Sequence, residues 1–387
     1  MAYDFETLTP ALDADSPMRR SLTERGFSKN VIDYGVAEMK FPWLPELEEA
    51  IVKLAGTNVM GYSGADDEFY AALKKWMKTR HNFDIETEYV NQTFGVVMSI
   101  GISIRALTEV GDNVLIMAPV YNPFAQQIRL NKRNVVESEL IFKDGKYEID
   151  FEDFGKKIKD AKLFILCSPH NPVGRVWKKW ELEKISQICL ENGVTVVSDE
   201  IHHDIVFDGQ HIVYGNISPE AYDNCVICTA PSKTFNIPGL IVSNTIIKNP
   251  EIRKKWEAER DLIFGHYTNP AGCAACTAVY TYGEAWTDEM CQYIKENFLT
   301  LKKLLAEKVP QAYMADMEGT YLAWVNLDFL GLDDDGLKEF MEKADIPVNI
   351  GSAYGAGGSG FIRVNIGCPR IYVEKFVDIL AEAVKNR

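Results

Sequence analysis

The sequence lacks long apolar runs and has no excess of basic charge. No stretch of about 18 consecutive apolar residues occurs, so we expect no membrane-spanning helix. Its 56 aspartates and glutamates outnumber 41 lysines and arginines, which gives a net charge of −15. We therefore expect neither nucleic acid nor an anionic membrane surface as a partner. The first residues show no basic region followed by an apolar one, so we expect no secretory signal.

Cysteines are sparse, and no internal repeat or low-complexity tract is present. The eight cysteines are scattered, several within apolar runs, which predicts buried thiols in a reducing cytoplasm rather than a disulfide framework. Cys273 and Cys276 have redox spacing, but their alanine-rich surroundings favour small buried residues. With 387 residues, of which 47% are apolar, the chain is long enough for two domains with a substantial core.

Short apolar runs alternate with helical stretches between residues 45 and 285. The predicted strands are Val114–Met117, Leu163–Cys167, Val194–Ser198, Cys225–Cys228 and Asn244–Ile247. Helical periods such as Val97–Thr108 and Trp180–Glu191 separate them. Continuous apolar strands spaced by helices predict an α/β fold, with a mostly parallel central sheet covered by helices.

The pattern changes after residue 285. A helix over Thr287–Lys308 leads to strands near Thr320–Leu327 and Gly360–Ile366, and a last helix runs from Val373 to Val384. We expect residues 45–285 to form a large domain. Residues 1–44 and 286–387 are expected to form a smaller α+β domain.

Three polar residues follow three of the predicted strands, where parallel sheets bind ligands. Lys233 lies in a stretch with little other charge, which favours a neutral amine able to form an imine; a solvated surface lysine is the alternative. Asp199, if buried, needs a partner such as a protonated pyridine nitrogen, or else it caps a helix. Asn171, between two prolines, either donates to a phenolate oxygen or serves a turn.

Two further segments carry weaker signals. Gly95 precedes a helical stretch, whose exposed amides form a plausible phosphate cradle. Tyr121 either presents its face to a flat ring or packs in the core. The set His202, His203, Asp204 and His211 matches no common zinc spacing, so we expect no metal. No Lys-Ser/Thr follows the glycine-rich stretch Ala356–Gly360, which argues against a P-loop.

Taken together, these residues resemble the fold-type I enzymes that depend on pyridoxal 5′-phosphate (PLP). The run N-P-x-G … D-E-x-H … S-K-T-F-N-x-x-G-L begins at Asn171 and ends at Leu240. Other matching pieces are Gly61-Tyr62, Gly95-Val96-Val97, Pro119-Val120-Tyr121, Gly319-Thr320-Tyr321-Leu322 and Phe361-Ile362-Arg363-Val364-Asn365. From about residue 34 to the C-terminus, the chain is similar to the cystathionine β-lyase (C–S lyase) branch.

The resemblance implies roles around the cofactor ring. Lys233 would be the Schiff-base lysine and the base that removes the substrate α-proton. Asp199 would pair with the ring nitrogen, and Tyr121 would stack on the ring. Asn171 and His202 would bond the ring oxygen.

Phosphate and substrate contacts follow from the same resemblance. The implied phosphate ligands are Gly95, Val96, Ser232 and, from the other subunit of a homodimer, Tyr62. Arg363 would grip the α-carboxylate of an amino-acid substrate, and Ala37 would border that substrate. Ala37 lies in a departure from the branch, because the segment usually written W-V-A-D-M-D-F reads G-V-A-E-M-K-F over Gly35–Phe41.

The implied reaction is β-elimination of S-substituted cysteines such as cystathionine, giving a thiol, pyruvate and ammonia. An aminotransferase is the alternative, since reprotonating the cofactor instead of expelling a thiolate gives amino-group transfer. Ile241 favours the lyase, because many relatives outside the branch carry arginine at that place. A non-catalytic regulator with the same fold is a further alternative, against which the presence of Lys233, Asp199, Asn171 and Arg363 argues.

Overall fold

The structure is a computed structural model that describes residues 2–9, 17–57, 61–62, 64–263 and 268–387. The helices are α1 (Pro17–Glu24), α2 (Pro45–Ala55), α3 (Asp67–His81), α4 (Val96–Leu107), α5 (Pro123–Leu130), α6 (Phe151–Lys157), α7 (Lys179–Glu191), α8 (Pro219–Asp223), α9 (Pro250–Asp261), α10 (Pro270–Tyr282), α11 (Glu284–Lys308), α12 (Asp334–Lys343) and α13 (Arg370–Lys385). The strands are β1 (Val90–Thr93), β2 (Asn113–Ala118), β3 (Asn134–Glu139), β4 (Ile141–Lys143), β5 (Lys146–Glu148), β6 (Ala161–Cys167), β7 (Thr195–Asp199), β8 (Cys225–Thr229), β9 (Ser243–Ile246), β10 (Tyr313–Met314), β11 (Leu322–Asn326), β12 (Asn349–Ile350) and β13 (Phe361–Asn365).

A seven-stranded sheet in the order β1-β9-β8-β7-β6-β2-β3 forms the centre of the molecule. Only β9 runs against its neighbours, so the predicted mostly parallel sheet is confirmed. The predicted strands agree with the observed ones to within two residues. One of these small differences bears on the site: Asp199 is the last residue of β7, not the first residue after it.

Helices cover both faces of this sheet, because its inner strands are apolar on both sides. On one face, α4 and Trp256 of α9 pack against Val114, Ile165 and Val226. On the other face, side chains of α3, α7 and α10 pack against Leu115, Phe164 and Val196. None of the helices that the structure describes is both long enough and apolar enough to cross a membrane.

A second, antiparallel sheet has the order β10-β11-β13-β12. Its strand β13 carries Arg363, which lies opposite Trp324 of β11. The N-terminal segment lies beside it, since Tyr34 N donates to Pro347 O at 2.9 Å and Lys40 N donates to Gly367 O at 2.7 Å. This sheet and the flanking α11 and α13 agree with the α+β expectation, while the division at residues 44/45 and 285/286 stays a prediction.

Candidate active site

Three adjacent parallel strands end at the same edge of the central sheet. Asp199 of β7 lies opposite Cys167 of β6 and Cys228 of β8, so the three carboxyl ends are level. Backbone pairing continues just beyond them, because Ser168 N donates to Asp199 O at 2.9 Å and Glu200 N donates to Cys228 O at 2.8 Å. The loops that carry the predicted residues 171 and 233 therefore start on either side of Asp199, at the end of β7.

Asp199 is a buried carboxylate with few partners. Its side chain is 3% exposed, and its one hydrogen bond within the described part of the chain comes from Ile201 N at 3.1 Å. Burial raises the pKa of Asp199 to about 7, and the charge of Glu200 adds to the rise; the Ile201 N–H and Lys233 oppose it. Such a carboxylate gains most from a cationic donor placed directly against it.

Lys233 lies four residues beyond β8, and its amine points at backbone. Lys233 Nζ donates to Ala37 O at 2.8 Å. The pKa of Lys233 is lowered to about 8, mainly by burial and then by the charge of the Arg363 guanidinium. The charges of Glu38 and Asp199 oppose this shift. The neutral amine is thus well populated near pH 8, as a nucleophilic or basic lysine requires.

Arg363, on strand β13 of the second sheet, contacts Asn171 at the edge of the central sheet. Its side chain is 4% exposed, and Nη1 donates to Asn171 Oδ1 at 3.2 Å while Nη2 donates to Gly35 O at 2.8 Å. Its guanidinium lies over the Tyr354 ring, 5.2 Å from the centroid. Nε is buried without a partner among the described residues. A planar cation with unused donors suits a carboxylate ligand.

His202 and Tyr121 complete this group. His202 is buried, and burial, followed by the nearby charges of Lys233 and Arg363, holds its pKa well below the ordinary value. Its ring is therefore neutral, and Nδ1 has no partner among the described residues. Burial raises the pKa of Tyr121, and Asp199 raises it further while Arg363 lowers it. These mutual effects place both side chains near the Lys233, Asp199 and Arg363 group.

Gly95 and Val96 follow β1, which ends at the same sheet edge and is separated from β7 by β9 and β8. Gly95 caps α4 with φ of 102° and ψ of 154°, a conformation essentially restricted to glycine. A side chain here would meet no atom within 4 Å, so the helix start with Val96 is open on that side. Ser232 is buried in the loop after β8. Tyr62 is 94% exposed, and its part in a phosphate site stays a prediction.

A buried polar cluster is hydrogen-bonded to Thr234, the residue after Lys233. Atoms of His81, His203 and Asp204 lie within 4.8 Å of one another, which is close enough to suggest a metal group. Hydrogen bonds already engage the Asp204 carboxylate, with Trp76 Nε1 at 3.0 Å, His81 Nε2 at 2.8 Å and Thr234 Oγ1 at 2.8 Å. The cluster therefore acts as a hydrogen-bonded support for Thr234, next to Lys233; the absence of a metal stays a prediction.

Several contacts in the site were not assigned from sequence. Tyr321 donates its hydroxyl to Ala37 O at 2.9 Å, and Asn236 bonds both backbone groups of Met39. Both residues stand inside motifs that the sequence analysis quoted, so a signal was present. Arg363 also contacts Asn349 of the paired strand β12 and Tyr354 of the turn between β12 and β13, and the sequence offers no signal for either contact.

Known proteins are similar to this chain in both sequence and fold. The family "Aminotransferase class I and II" matches residues 29–380. Cystathionine beta-lyase PatB of Bacillus subtilis is 38% identical over 339 residues, which are 86% of this chain and 87% of that protein. Protein MalY of Escherichia coli is 33% identical over 376 residues, 94% of each chain. The crystal structure of cystalysin from Treponema denticola, which contains a pyridoxal 5′-phosphate cofactor, covers 100% of each chain with a TM-score of 0.96 and 38% identity. The chain therefore belongs to the class I and II aminotransferase family.

Proposed function

We propose that this chain is a PLP-dependent carbon–sulfur lyase that splits S-substituted cysteines into a thiol, pyruvate and ammonia. The observation that carries the proposal is its likeness, over 86% of its length, to a cystathionine beta-lyase. Cystalysin, which has the same fold throughout, contains PLP. Family membership alone is compatible with amino-group transfer, so the choice of lyase rests on these relatives.

The residues of the site fit PLP. The buried Asp199 carboxylate lacks the cationic donor that a protonated ring nitrogen supplies. His202 Nδ1 has no partner within the described part of the chain, and the open start of α4 at Gly95 presents backbone amides to a phosphate. When bound, PLP supplies an electron sink for the carbanion formed at the substrate Cα.

The protein's own groups bind and orient the substrate. Arg363 holds the α-carboxylate, using donors that Asn171 and Gly35 leave unused. Its own bonds to those two groups keep the guanidinium in place, which fixes the substrate backbone relative to Lys233. Lys233 Nζ then takes the proton from Cα, a task for which its pKa of about 8 is suited.

The expected result with L-cystathionine is pyruvate release without any added keto acid. The purified protein, loaded with PLP, is incubated with L-cystathionine, and pyruvate is measured with a lactate dehydrogenase coupled assay. The control omits L-cystathionine. Amino-group transfer that requires 2-oxoglutarate and yields no pyruvate would show an aminotransferase instead. No turnover under either condition would favour the remaining alternative, a non-catalytic regulator with the same fold.

We also propose a homodimer, with Tyr62 acting in the partner's site. The support is a set of exposed apolar side chains: Tyr62 is 94% exposed, and Phe94, the chain neighbour of Gly95, is exposed, as are Ile241 and Leu262. Large apolar side chains grouped on a surface mark interaction sites. Self-association of the chain would cover them.

Mixed dimers test this arrangement directly. Tyr62→Ala and Lys233→Ala are each expected to be nearly inactive in pyruvate release. If Tyr62 serves the partner's site, a hybrid of the two variants regains one intact site, because one subunit supplies Lys233 and the other supplies Tyr62. Random mixing then restores about a quarter of the activity. Different affinity tags on the two variants, captured one after the other, check that mixing has exchanged subunits; no recovery in an exchanged mixture would place Tyr62 in its own subunit's site.

We propose that the protein works in the cytoplasm. All eight cysteines are free and buried, Cys273 and Cys276 included. Free thiols are the ordinary state of cysteine in a reducing compartment.

A further inference from the structure

The backbone of residues 35–39 contacts both cations of the site. Gly35 O accepts from Arg363 Nη2 at 2.8 Å, and Ala37 O accepts from Lys233 Nζ at 2.8 Å. The segment is bent at this point, since Glu38 N donates to Val36 O at 2.9 Å across Ala37. The bend turns the Ala37 carbonyl toward the amine.

The carbonyls on the other side of this segment bind one side chain, Asn365. Asn365 Nδ2 donates to Val36 O and to Glu38 O, each at 2.7 Å. The residue is 2% exposed, and its Oδ1 accepts from Gly367 N at 2.8 Å, so its amide is fully used. Asn365 is in β13, two residues after Arg363, so one strand carries both side chains. We call the two hydrogen bonds from Asn365 Nδ2 to Val36 O and Glu38 O the clamp.

We propose that Asn365 is a positioning residue that holds the Gly35 and Ala37 carbonyls as acceptors for Arg363 and for the freed amine of Lys233. The catalytic meaning of this clamp rests on the proposed function, whereas its geometry does not. The Ala37 carbonyl holds the amine beside the substrate once Lys233 is no longer attached to the cofactor. Tyr321 shares that acceptor through its hydroxyl, at 2.9 Å.

The clamp places few demands on the side chains of residues 35–39. The groups that meet Arg363 and Lys233 are backbone oxygens, which every residue type supplies. One position is nevertheless constrained here: a Cβ on Gly35 would lie 2.9 Å from Asn349 Oδ1, closer than real contacts allow. Asn349 itself approaches Arg363 Nη2 at 3.4 Å, so glycine at 35 and asparagine at 349 are matched.

Asn297 provides a matched control elsewhere in the fold. Its side chain is 0% exposed, and its Nδ2 donates to two backbone carbonyls, Ile366 O at 2.9 Å and Cys368 O at 2.8 Å. The hydrogen bonds are the same in kind and number as those of Asn365 Nδ2. None of the described contacts of Asn297 reaches residues 35–39. Asn365→Ala and Asn297→Ala therefore remove equivalent bonds, and only those of Asn365 go directly to residues 35–39.

The test measures the titration of Lys233 in the full-length chain freed of cofactor. The rate of acetylation of Lys233 is followed against pH by mass spectrometry in the parent, Asn365→Ala and Asn297→Ala. Burial is the largest cause of the low pKa of Lys233, and the 35–39 segment covers its amine. Releasing that segment in Asn365→Ala admits water, which raises the Lys233 pKa, and moves the Ala37 acceptor away, which lowers it. Because burial is the largest cause of the low pKa, the net result is expected to be a rise in this pKa on the order of one unit. In Asn297→Ala it is expected to stay at the parent value.

Equal titration of Lys233 in the parent and both variants would overturn the proposal. If Asn365→Ala does not fold, Tyr321→Phe tests the same acceptor, because it removes one donor to Ala37 O and keeps the ring. The carbonyl then interacts with Lys233 alone and favours the ammonium form, so a smaller rise in the Lys233 pKa is expected; an unchanged pKa would overturn the proposal. The measurement uses neither substrate nor cofactor, so failure of the lyase assay leaves its outcome readable.

Discussion

Replacing Lys233 by alanine is expected to lower pyruvate release from L-cystathionine by at least about 10³-fold. The substitution removes two functions at once, since the amine is both the attachment point for PLP and the base for the α-proton. No other lysine amine is hydrogen-bonded to Ala37 O among the described residues, so none can replace it. The rate is measured by the coupled pyruvate assay on PLP-saturated protein.

A second measurement separates cofactor attachment from general damage. After dialysis against a primary amine, Lys233→Ala is expected to lose the visible absorbance of bound PLP, while the parent regains it when PLP is restored. Lys255→Ala, on an exposed part of α9, is the control and is expected to match the parent in both measurements. A Lys233→Ala protein that keeps its absorbance and its rate would remove Lys233 from the site.

The central sheet could be predicted largely because most of its strands contain a short apolar run. Strands β2, β6, β7 and β8 are almost entirely buried, and each stands out from the helical periods around it. Strand β1, V-N-Q-T, has only one apolar residue in four and gives no such run. The sequence also carries no sign that β9 runs antiparallel, because strand direction depends on how the chain returns to the sheet.

The candidate site follows the same division. Asn171, Asp199 and Lys233 could be located because each side chain comes just after or at the end of an apolar strand. The acceptor for the Lys233 amine could not be located in this way, because Ala37 accepts through its backbone carbonyl oxygen, which every residue has. Sequence analysis assigned Ala37 to the substrate side; the structure shows its carbonyl at Lys233, and contact with substrate stays a prediction.

Asp199→Asn is expected to have opposite effects on activity and on stability. Without a carboxylate, the ring nitrogen of PLP loses its charged partner, and pyruvate release is expected to fall at least about 10²-fold. The same substitution removes a buried, poorly paired acid, which the folded chain holds at a cost when the cofactor is absent. Residues that bind a cofactor can thus weaken the fold that holds them.

The size of the stability change expected for Asp199→Asn depends on pH. The pKa of Asp199 is about 7 in the folded chain, against 3.8 as its ordinary value, so between these pH values the folded chain binds more protons than the unfolded one. The free energy of unfolding therefore falls as pH rises through this window, by on the order of 4 kcal/mol. Asparagine does not titrate, so cofactor-free Asp199→Asn is expected to be more stable than the parent at pH 8 and equal to it near pH 4.

Urea unfolding of both cofactor-free proteins at the two pH values measures this difference. Asp335→Asn, at an exposed position of α12, is the control for loss of a negative charge and is expected to change stability little at either pH. If Asp199→Asn is less stable than the parent at pH 8, the carboxylate has a favourable role in the empty fold. Its burial would then be a feature of the fold itself, and the cofactor would not be needed to explain it.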